Sequence, residues 1–365
     1  MKLISAVPEV RRSIRRVCLP VLLVATLTSP ARETQASSNA TAPGVIVPGD
    51  IEATITEWTV PGTNSGPQGI FFSKRDGVVW YSAERSSTLG RFDVKLQKFQ
   101  EVHLRPDTMP NSLVEHAGSG IQSTLYFTSR EGGYIGEFDP NTREVREFRI
   151  PGRKVRLQNL SFDRNGVIWF TIAKPDSPDA SQKGSIGRLN LFSSEIRMAS
   201  ASDPYDVAVN TKGTIFFTEL GSPRIGSVQP DSMKVTEHVL PNAHTGVRNL
   251  TITPDDILWY TDSARGYLGR FDPSTQQFQE WPSPSGPESR PGAITNVDGM
   301  LWYAETGTEP NILVCFDPAT QKFQSWRFKA GGGIGHIYAQ SDGTLWLTRP
   351  EANGIAELKR IQKRN

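Results

Sequence analysis

Charged residues recur in this sequence at one fixed spacing, three positions after an aromatic residue. They are Glu219, Asp262, Glu305 and Arg349, which follow Phe216, Trp259, Trp302 and Trp346. Several carboxylates beside an arginine could hold a metal ion, poise an acid–base pair or form salt bridges. Carboxylates that meet in a narrow space acquire the perturbed pKa values that catalysis requires. We therefore predict Glu219 and Glu305 as metal ligands, and Asp262 and Arg349 as ligand contacts.

Amide and carboxylate oxygens recur at a second position, just before a run of apolar residues. Asn159, Asp206 and Asn249 take this position in three successive segments of the chain. Oxygen ligands of this kind suit hard cations such as calcium or magnesium. Asn and Asp also cap backbone groups at the start of a strand. The sequence leaves both alternatives open, a divalent-cation site and a set of structural caps.

One histidine, His336, takes the same second position near the end of the chain, after a stretch rich in glycine. A neutral imidazole there could act as a general base or acid. The glycines would allow close approach of the backbone to a ligand, or would merely loosen the connection. We predict His336 and Glu305 as the catalytic residues. Arg248 and Arg290 lie beside equivalent positions and are predicted to attract an anionic ligand.

These residues belong to a repeat of 43 to 47 residues that occurs seven times. One of its phrases is a turn pair followed by an aromatic step, as in Asp298–Tyr303 (DGMLWY), and the other reads Leu268–Pro273 (LGRFDP). A period of this length, made of short β-patterned runs, is typical of four-stranded blades in a radial array. The sequence thus predicts an all-β fold, a seven-bladed β-propeller.

Each repeat is predicted to contain four strands. In the fifth repeat these are 248–253, 257–261, 267–272 and 277–281. The last repeat offers only three, 334–339, 344–348 and 354–358, with little chain left for a fourth. The segment 56–61 (TEWTVP) resembles the outer strand of the fifth repeat. We predict that this N-terminal segment completes the last blade, which removes the gap between the first and last blades.

The N-terminus is predicted to be a signal peptide over residues 1–36, because a basic cluster precedes a short apolar stretch and then small residues. A flexible leader (37–54), the propeller (55–361) and a tail (362–365) follow. Removing residues 1–36 lowers Lys plus Arg from 40 to 34 and Asp plus Glu from 38 to 36, so the net charge changes from +2 to −2. We expect an exported, periplasmic or extracellular monomer without a membrane span or a nucleic-acid partner.

Three phrases give the chain a resemblance to the virginiamycin B lyase (streptogramin B lyase) family. They are Gly66–Ile70 (GPQGI), Leu268–Pro273 (LGRFDP) and Asp298–Glu305 (DGMLWYAE). The resemblance covers the chain from about residue 55 to 358. It implies a seven-bladed propeller that opens cyclic depsipeptide antibiotics at the ester by elimination, assisted by magnesium.

The resemblance also implies a particular set of catalytic residues. The family has a histidine before an inner strand, a Glu-x-His-Gly-Ile phrase and a glutamate that ends a Trp-Phe-x-Glu phrase. Glu219 and Glu305 match that last glutamate, whereas Arg349 replaces it in the last repeat. No Glu-x-His-Gly-Ile phrase occurs in this sequence. His336 comes nearest, one residue later than the family's histidine and two residues after Ile334 instead of a glutamate.

Three functions follow as hypotheses. The first is a lyase for a small or cyclic molecule, in which His336 removes a proton alpha to a carbonyl while Glu305 and Glu219 hold a divalent cation. The second is a calcium-dependent hydrolase resembling the gluconolactonase-like propellers, in which Asn159, Asp206 and Asn249 hold the ion. The third is a non-catalytic scaffold that binds a protein, peptide or glycan.

Overall fold

A computed structural model describes residues 51–117, 123–152, 155–177, 179, 181–329 and 331–360 of the chain. The predicted signal peptide, most of the predicted leader and the predicted tail lie outside these described residues. The first described strand, β1 (Ala53–Thr59), begins two residues before the predicted start of the propeller. The one helix among the described residues is a 3-10 turn, Pro287–Ser289. It has neither the length nor the hydropathy of a membrane-spanning helix.

The next twelve strands form the first three blades, each an antiparallel sheet of four consecutive strands. Blade 1 contains β2 (Pro67–Ser73), β3 (Val78–Ala83), β4 (Thr88–Asp93) and β5 (Lys98–His103). Blade 2 contains β6 (Pro110–Ala117), β7 (Ser123–Ser129), β8 (Tyr134–Phe138) and β9 (Val145–Arg149). Blade 3 contains β10 (Leu157–Phe162), β11 (Val167–Ile172), β12 (Gly184–Asn190) and β13 (Ile196–Ala201).

Three further blades follow the same order. Blade 4 contains β14 (Pro204–Val209), β15 (Ile215–Glu219), β16 (Arg224–Val228) and β17 (Val235–Val239). Blade 5 contains β18 (Val247–Ile252), β19 (Leu258–Asp262), β20 (Tyr267–Asp272) and β21 (Gln277–Pro282). Blade 6 contains β22 (Pro291–Val297), β23 (Met300–Glu305), β24 (Ile312–Asp317) and β25 (Lys322–Arg327).

The seventh blade is assembled from both ends of the described chain. It contains β26 (Ile337–Ala339), β27 (Leu345–Arg349), β28 (Gly354–Arg360) and, as its outer strand, β1. β1 pairs with β28 from Ala53 opposite Arg360 to Thr59 opposite Gly354. The predicted seven-bladed all-β propeller and its closure by the N-terminal strand are therefore confirmed.

Cross-strand packing explains why glycine recurs in the third strand of a blade. In β19 and β20, Tyr260 lies opposite Gly269, and a Cβ atom on that glycine would stand 2.0 Å from the ring carbon Cζ. An aromatic ring of the second strand thus occupies the space that a side chain would need. The same arrangement pairs Tyr81 with Gly90, Phe127 with Gly136, Phe170 with Gly187, and Phe217 with Gly226. Blade 7 pairs Leu347 with Ala356 instead.

The Asp-Pro turns between third and outer strands have a common hydrogen-bond pattern. Between β20 and β21, Asp272 Oδ1 accepts from the Ser274 N–H at 2.9 Å, and the Gln276 N–H donates to the Asp272 carbonyl at 2.8 Å. Gln276 takes a left-handed backbone conformation with φ 58°. The Ser274 hydroxyl is the main group that lowers the pKa of Asp272. These bonds fix the register of the outer strand.

The buried apolar side chains of the described residues form seven clusters, one between each pair of neighbouring blades. Between blades 7 and 1 the cluster contains Trp58 of the closing strand, which lies 4.9 Å from Phe92 and 5.7 Å from Trp346 between ring centroids. Every blade thus buries both of its faces against its neighbours, and closure of the ring leaves no end face exposed.

Candidate functional site

The inner strands of the seven blades pack around the central channel, and six of them carry an irregularity at the same place. In each, the pairing with the second strand skips two consecutive residues of the inner strand, as it skips Tyr205 and Asp206 between Pro204 and Val207. The second of these residues is the position singled out from the sequence. We call the seven residues there the inner ring: Gly69, Ser112, Asn159, Asp206, Asn249, Ala293 and His336.

Hydroxyl groups of the second strands satisfy the backbone at the inner ring. In blade 4, the Thr218 hydroxyl accepts from the Asp206 N–H at 3.1 Å and donates to the Arg248 carbonyl of blade 5 at 2.7 Å. The same pair of hydrogen bonds, one accepted and one donated, is made by the hydroxyl groups of Ser82, Thr128, Thr171, Thr261 and Thr348. These hydroxyls form a hydroxyl ring that links each blade to the next.

The hydroxyl ring is interrupted between blades 6 and 7. The equivalent residue of blade 6 is Ala304, whose methyl group offers no bond to the Ala293 N–H or to the Gly335 carbonyl. Gly292 and Gly335, the residues before the inner ring in these blades, also lack side chains. Blade 6 therefore lacks the hydroxyl link to blade 7 that the other described blades make to their neighbours.

Replacing Thr261 with valine is expected to lower the free energy of unfolding by about 1–3 kcal/mol, because two backbone groups lose their partner. Thr261 is fully buried, so water cannot replace the hydroxyl. Ala304→Ser is the matched control and should raise the free energy by about 1 kcal/mol by completing the ring. Urea denaturation measures both changes. A loss below about 0.3 kcal/mol for Thr261→Val would contradict the stabilising role.

The three inner-ring residues predicted as calcium ligands bond mainly to neighbouring blades. Asn159 Nδ2 donates to the Tyr205 carbonyl at 3.0 Å. Asp206 Oδ2 accepts from Asn249 Nδ2 at 3.0 Å and from the Leu250 N–H at 3.1 Å. Burial raises the pKa of Asp206, while these hydrogen bonds lower it. The observed contacts match the alternative of structural caps, and they act between blades.

The carboxylates at the ends of the second strands do not meet in the channel. Asp262 Oδ1 accepts from the Gly246 N–H at 2.8 Å, and its Oδ2 accepts from Arg265 Nε at 2.6 Å. Glu305 Oε1 accepts from the Ser283 hydroxyl at 2.8 Å and from the Ser285 N–H at 3.1 Å. Each carboxylate thus caps the loop that enters the inner strand of its own blade.

Glu219 follows the same pattern with one oxygen. Its Oε1 accepts from the Ser202 N–H at 2.8 Å, and its Oε2 is buried without a hydrogen-bond partner. Burial is the main reason that the pKa of Glu219 is raised. Among the described residues, no three His, Cys, Asp or Glu side chains form a group that could hold a metal ion. Glu219 and Glu305 are thus bonded to the loops of their own blades, whereas Asp206 and Asn249 bond to each other. A shared magnesium or calcium ion stays a prediction.

The predicted arginine contacts differ in their surroundings. Arg349 is buried, donates from Nη1 to Glu57 Oε1 of the closing strand at 2.8 Å and lies 4.4 Å from the Phe328 ring centroid. Its role here is to hold the seventh blade together. Arg248 is exposed at the channel mouth, with its guanidinium 5.9 Å from the Tyr205 ring centroid. Arg290 is also exposed, and both stay candidates for attracting an anionic ligand.

His336 lies in blade 7, next to the interruption of the hydroxyl ring. Its backbone N–H donates to Thr348 Oγ1 at 2.9 Å, which holds the residue in the inner ring. The side chain is half-buried, and its Nδ1 has no hydrogen-bond partner. Burial lowers the pKa of His336 to about 4, against a smaller opposite effect of a hydrogen bond with the backbone of Ile70. The imidazole is therefore neutral at physiological pH.

The lowered pKa of His336 predicts a pH-dependent stability. The unfolded chain binds this proton below its ordinary pKa of about 6.5, whereas the folded chain binds it only below about 4. Stability is therefore lost as the pH falls from 6.5 towards 4, by about 2–3 kcal/mol. Denaturation of the wild type and of His336→Gln across this range measures the difference. The raised pKa values of Glu219 and Asp206 act in the opposite sense but cancel in this comparison.

The set of site residues predicted from the sequence does not include the residues that make the hydroxyl ring. Their signal is present in the chain, because Ser or Thr stands two positions after the aromatic step in six of the seven repeats. That set also omits Tyr205, which presents its carbonyl to the Asn159 amide and its ring to Arg248. The shift in strand pairing that brings these groups together cannot be read from the alternation of side chains.

Comparisons with known proteins agree with this architecture. The sequence model of the virginiamycin B lyase family matches residues 192–363. The selenomethionine-substituted virginiamycin B lyase from Staphylococcus aureus has 24% sequence identity and a TM-score of 0.74, covering 85% of this chain and 100% of that one. A catalytically inactive virginiamycin B lyase from the same organism with quinupristin has 23% identity and a TM-score of 0.73, with coverage of 85% and 100%.

A streptogramin B lyase structure has 22% identity and a TM-score of 0.73, and covers 85% of this chain and 98% of that one. No curated protein matches the chain. The predicted resemblance to the virginiamycin B lyase family is confirmed. At these identities the structural likeness establishes the propeller fold, and the activity must be argued from the site.

Proposed function

We propose that this virginiamycin B lyase-like propeller binds a small or cyclic molecule in its central channel beside His336, without a metal ion. The observation that carries the proposal is the half-buried neutral imidazole next to the gap that Ala304 leaves in the hydroxyl ring. The Nδ1 nitrogen is buried without a protein partner, so a ligand that displaces the ring slightly towards the channel would supply the missing hydrogen bond.

The polar groups across the channel define the chemistry of the ligand. Tyr205 and Arg248 offer an aromatic ring and an exposed guanidinium, which suit a ligand with carbonyl groups or a negative charge. Metal assistance is not part of the proposal, because the carboxylates of Asp262 and Glu305 are already bonded to their own loops. Protein or peptide partners would have to enter the same channel mouth.

A second candidate function is ring opening by elimination, and the neutral state of His336 favours it. A neutral imidazole accepts a proton, as the removal of a proton alpha to a carbonyl requires. A pKa of about 4 makes it a weak base, so the rate would be low at neutral pH. Binding without turnover therefore ranks first.

Titration calorimetry with quinupristin tests the proposal. The wild type is expected to bind with a dissociation constant in the micromolar range, and His336→Ala should weaken binding at least about 10-fold, or about 1.4 kcal/mol. Because the backbone N–H of His336 makes the bond to Thr348, the inner ring survives this substitution. His238→Ala, in an outer strand, is the matched control and should leave the affinity unchanged. Equal affinity of His336→Ala and wild type would remove His336 from the site.

A further inference from the structure

A second candidate site lies away from the channel mouth, in a groove between blades 1 and 2. The groove has a volume of about 410 Å³, which is in the range of small-molecule sites. Trp80 and Phe138 are buried at its base, with their ring centroids 5.8 Å apart. Its rim includes Asp76 and Pro140, which lie in turns at the end of the propeller opposite the channel mouth.

Strand alternation determines which side chains face this groove. Trp80 pairs with Arg91, and Arg91 pairs with Gln100, so all three lie on the side of blade 1 that faces blade 2. Tyr81 and Glu101 lie on the opposite side, where the Tyr81 hydroxyl donates to Glu101 Oε1 at 3.4 Å. Glu101 also lines the groove, but its side chain lies on the Tyr81 side of the strand, whereas the guanidinium of Arg91 lies on the side of the groove.

The guanidinium of Arg91 has no hydrogen-bond or ion-pair partner among the described residues, in contrast to the arginine at the same position of blade 3. Arg188 pairs with Trp169 as Arg91 pairs with Trp80. Arg188 Nη1 donates to the Pro230 carbonyl of the neighbouring blade at 2.9 Å. Arg91 forms no ion pair or side-chain hydrogen bond with any residue in the described part of the chain. A partly buried guanidinium without a partner favours an anion.

A second guanidinium reaches the groove from blade 2. Arg143 ends the turn between β8 and β9 in a left-handed conformation with φ 63°. It lines the groove, is exposed and has no ion pair within the described residues. Arg75 differs, because its Nε lies 3.0 Å from Asp76 Oδ1. Arg91 and Arg143 thus face the groove from opposite walls without an ion-pair partner among the described residues. The Arg75–Asp76 ion pair lies beside them.

We propose that this groove binds the phosphate or sulfate group of a small-molecule monoester through Arg91 and Arg143. Two planar guanidinium forks from opposite walls suit a tetrahedral oxyanion, which presents several acceptor oxygens. The corresponding groove between blades 4 and 5, about 470 Å³, carries Asp255, Asp256 and Asp272 with Lys212 and has the opposite charge. The site is independent of the channel, so it does not rest on the function proposed above.

Titration calorimetry with inorganic phosphate, inorganic sulfate and glycerol phosphate tests this site, at an ionic strength held constant with sodium chloride. We expect saturable binding with millimolar dissociation constants, at least as tight for the monoester as for the free ion. Arg91→Gln should weaken binding at least about 10-fold. Arg188→Gln, at the same position of blade 3, should leave it unchanged. Arg91→Lys keeps the charge without the fork, and it should retain part of the affinity.

The proposal is overturned if the wild type shows no saturable binding of any of the three probes. It is equally overturned if Arg188→Gln weakens binding as much as Arg91→Gln, because the effect would then be a general loss of surface charge. Thermal unfolding of each variant verifies that it is folded. Should Arg91→Gln fail to fold, Arg143→Gln must show the loss of affinity instead.

Discussion

Gly269→Ala is expected to lower the free energy of unfolding by about 3 kcal/mol or more, one of the largest effects of a single methyl group in this chain. The added Cβ would stand 2.0 Å from Cζ and 2.3 Å from Cε2 of Tyr260. Tyr260 is itself fully buried, so its ring cannot move away without disturbing the cluster between blades 4 and 5. Guanidinium denaturation measures the change.

The seventh blade supplies the control for this prediction. Its Leu347–Ala356 pair occupies the place of Tyr260 and Gly269. The double substitution Tyr260→Leu with Gly269→Ala should therefore lose less stability than the sum of the two single changes, by at least about 2 kcal/mol. Additive losses, or a Gly269→Ala loss below about 1 kcal/mol, would show that the ring does not exclude a side chain.

Trp58→Ala is expected to cost about 3–5 kcal/mol, because the indole packs between Phe92 of blade 1 and Trp346 of blade 7. It lies in the strand that closes the ring, so its loss also weakens the pairing of β1 with β28. The free energy of unfolding from urea titration measures the effect.

Trp281→Ala provides a matched comparison, because this tryptophan packs against Trp259 and Phe316 in an outer strand of blade 5. That strand is continuous with its own blade, and its indole is less buried than that of Trp58. We expect a smaller loss there. A larger loss for Trp281→Ala would indicate that the closing strand adds little to the stability of the ring.

Much of the fold could be predicted from the sequence, because its determinants are local and repeated. The aromatic step and the LGRFD phrase mark one cross-strand contact, the aromatic ring over glycine, in five blades. The closing strand could be predicted because Thr56 to Pro61 lacks a repeat of its own. Strand bounds agree to within three residues, and a difference of this size occurs at β26, which begins at Ile337 where the pattern predicted residue 334.

The candidate site could be predicted only in part. The spacing of Glu219, Asp262 and Glu305 places them correctly at the ends of second strands, but their direction depends on the loop that precedes each inner strand. The N–H groups of those loops, at Ser202, Gly246 and Ser285, are the partners that the carboxylates bind. Sequence spacing gives position along a strand and carries no information on such competing partners.

His336 illustrates the other limit of the sequence. The pattern placed it at the inner ring, and its backbone bond to Thr348 agrees with that place. Its pKa of about 4 arises from burial by neighbouring blades, which no local pattern encodes. Its use as a catalytic base stays a prediction.

Calorimetric titration of quinupristin in EDTA, repeated in magnesium, tests most directly the claim that the channel binds its ligand without a metal ion. The ligand is recovered and chromatographed afterwards, because elimination opens a ring without changing its mass. We predict the same micromolar dissociation constant in both buffers and recovery of the closed ring. Binding that appears only with magnesium, or a magnesium-dependent ring-opened product, would contradict the claim.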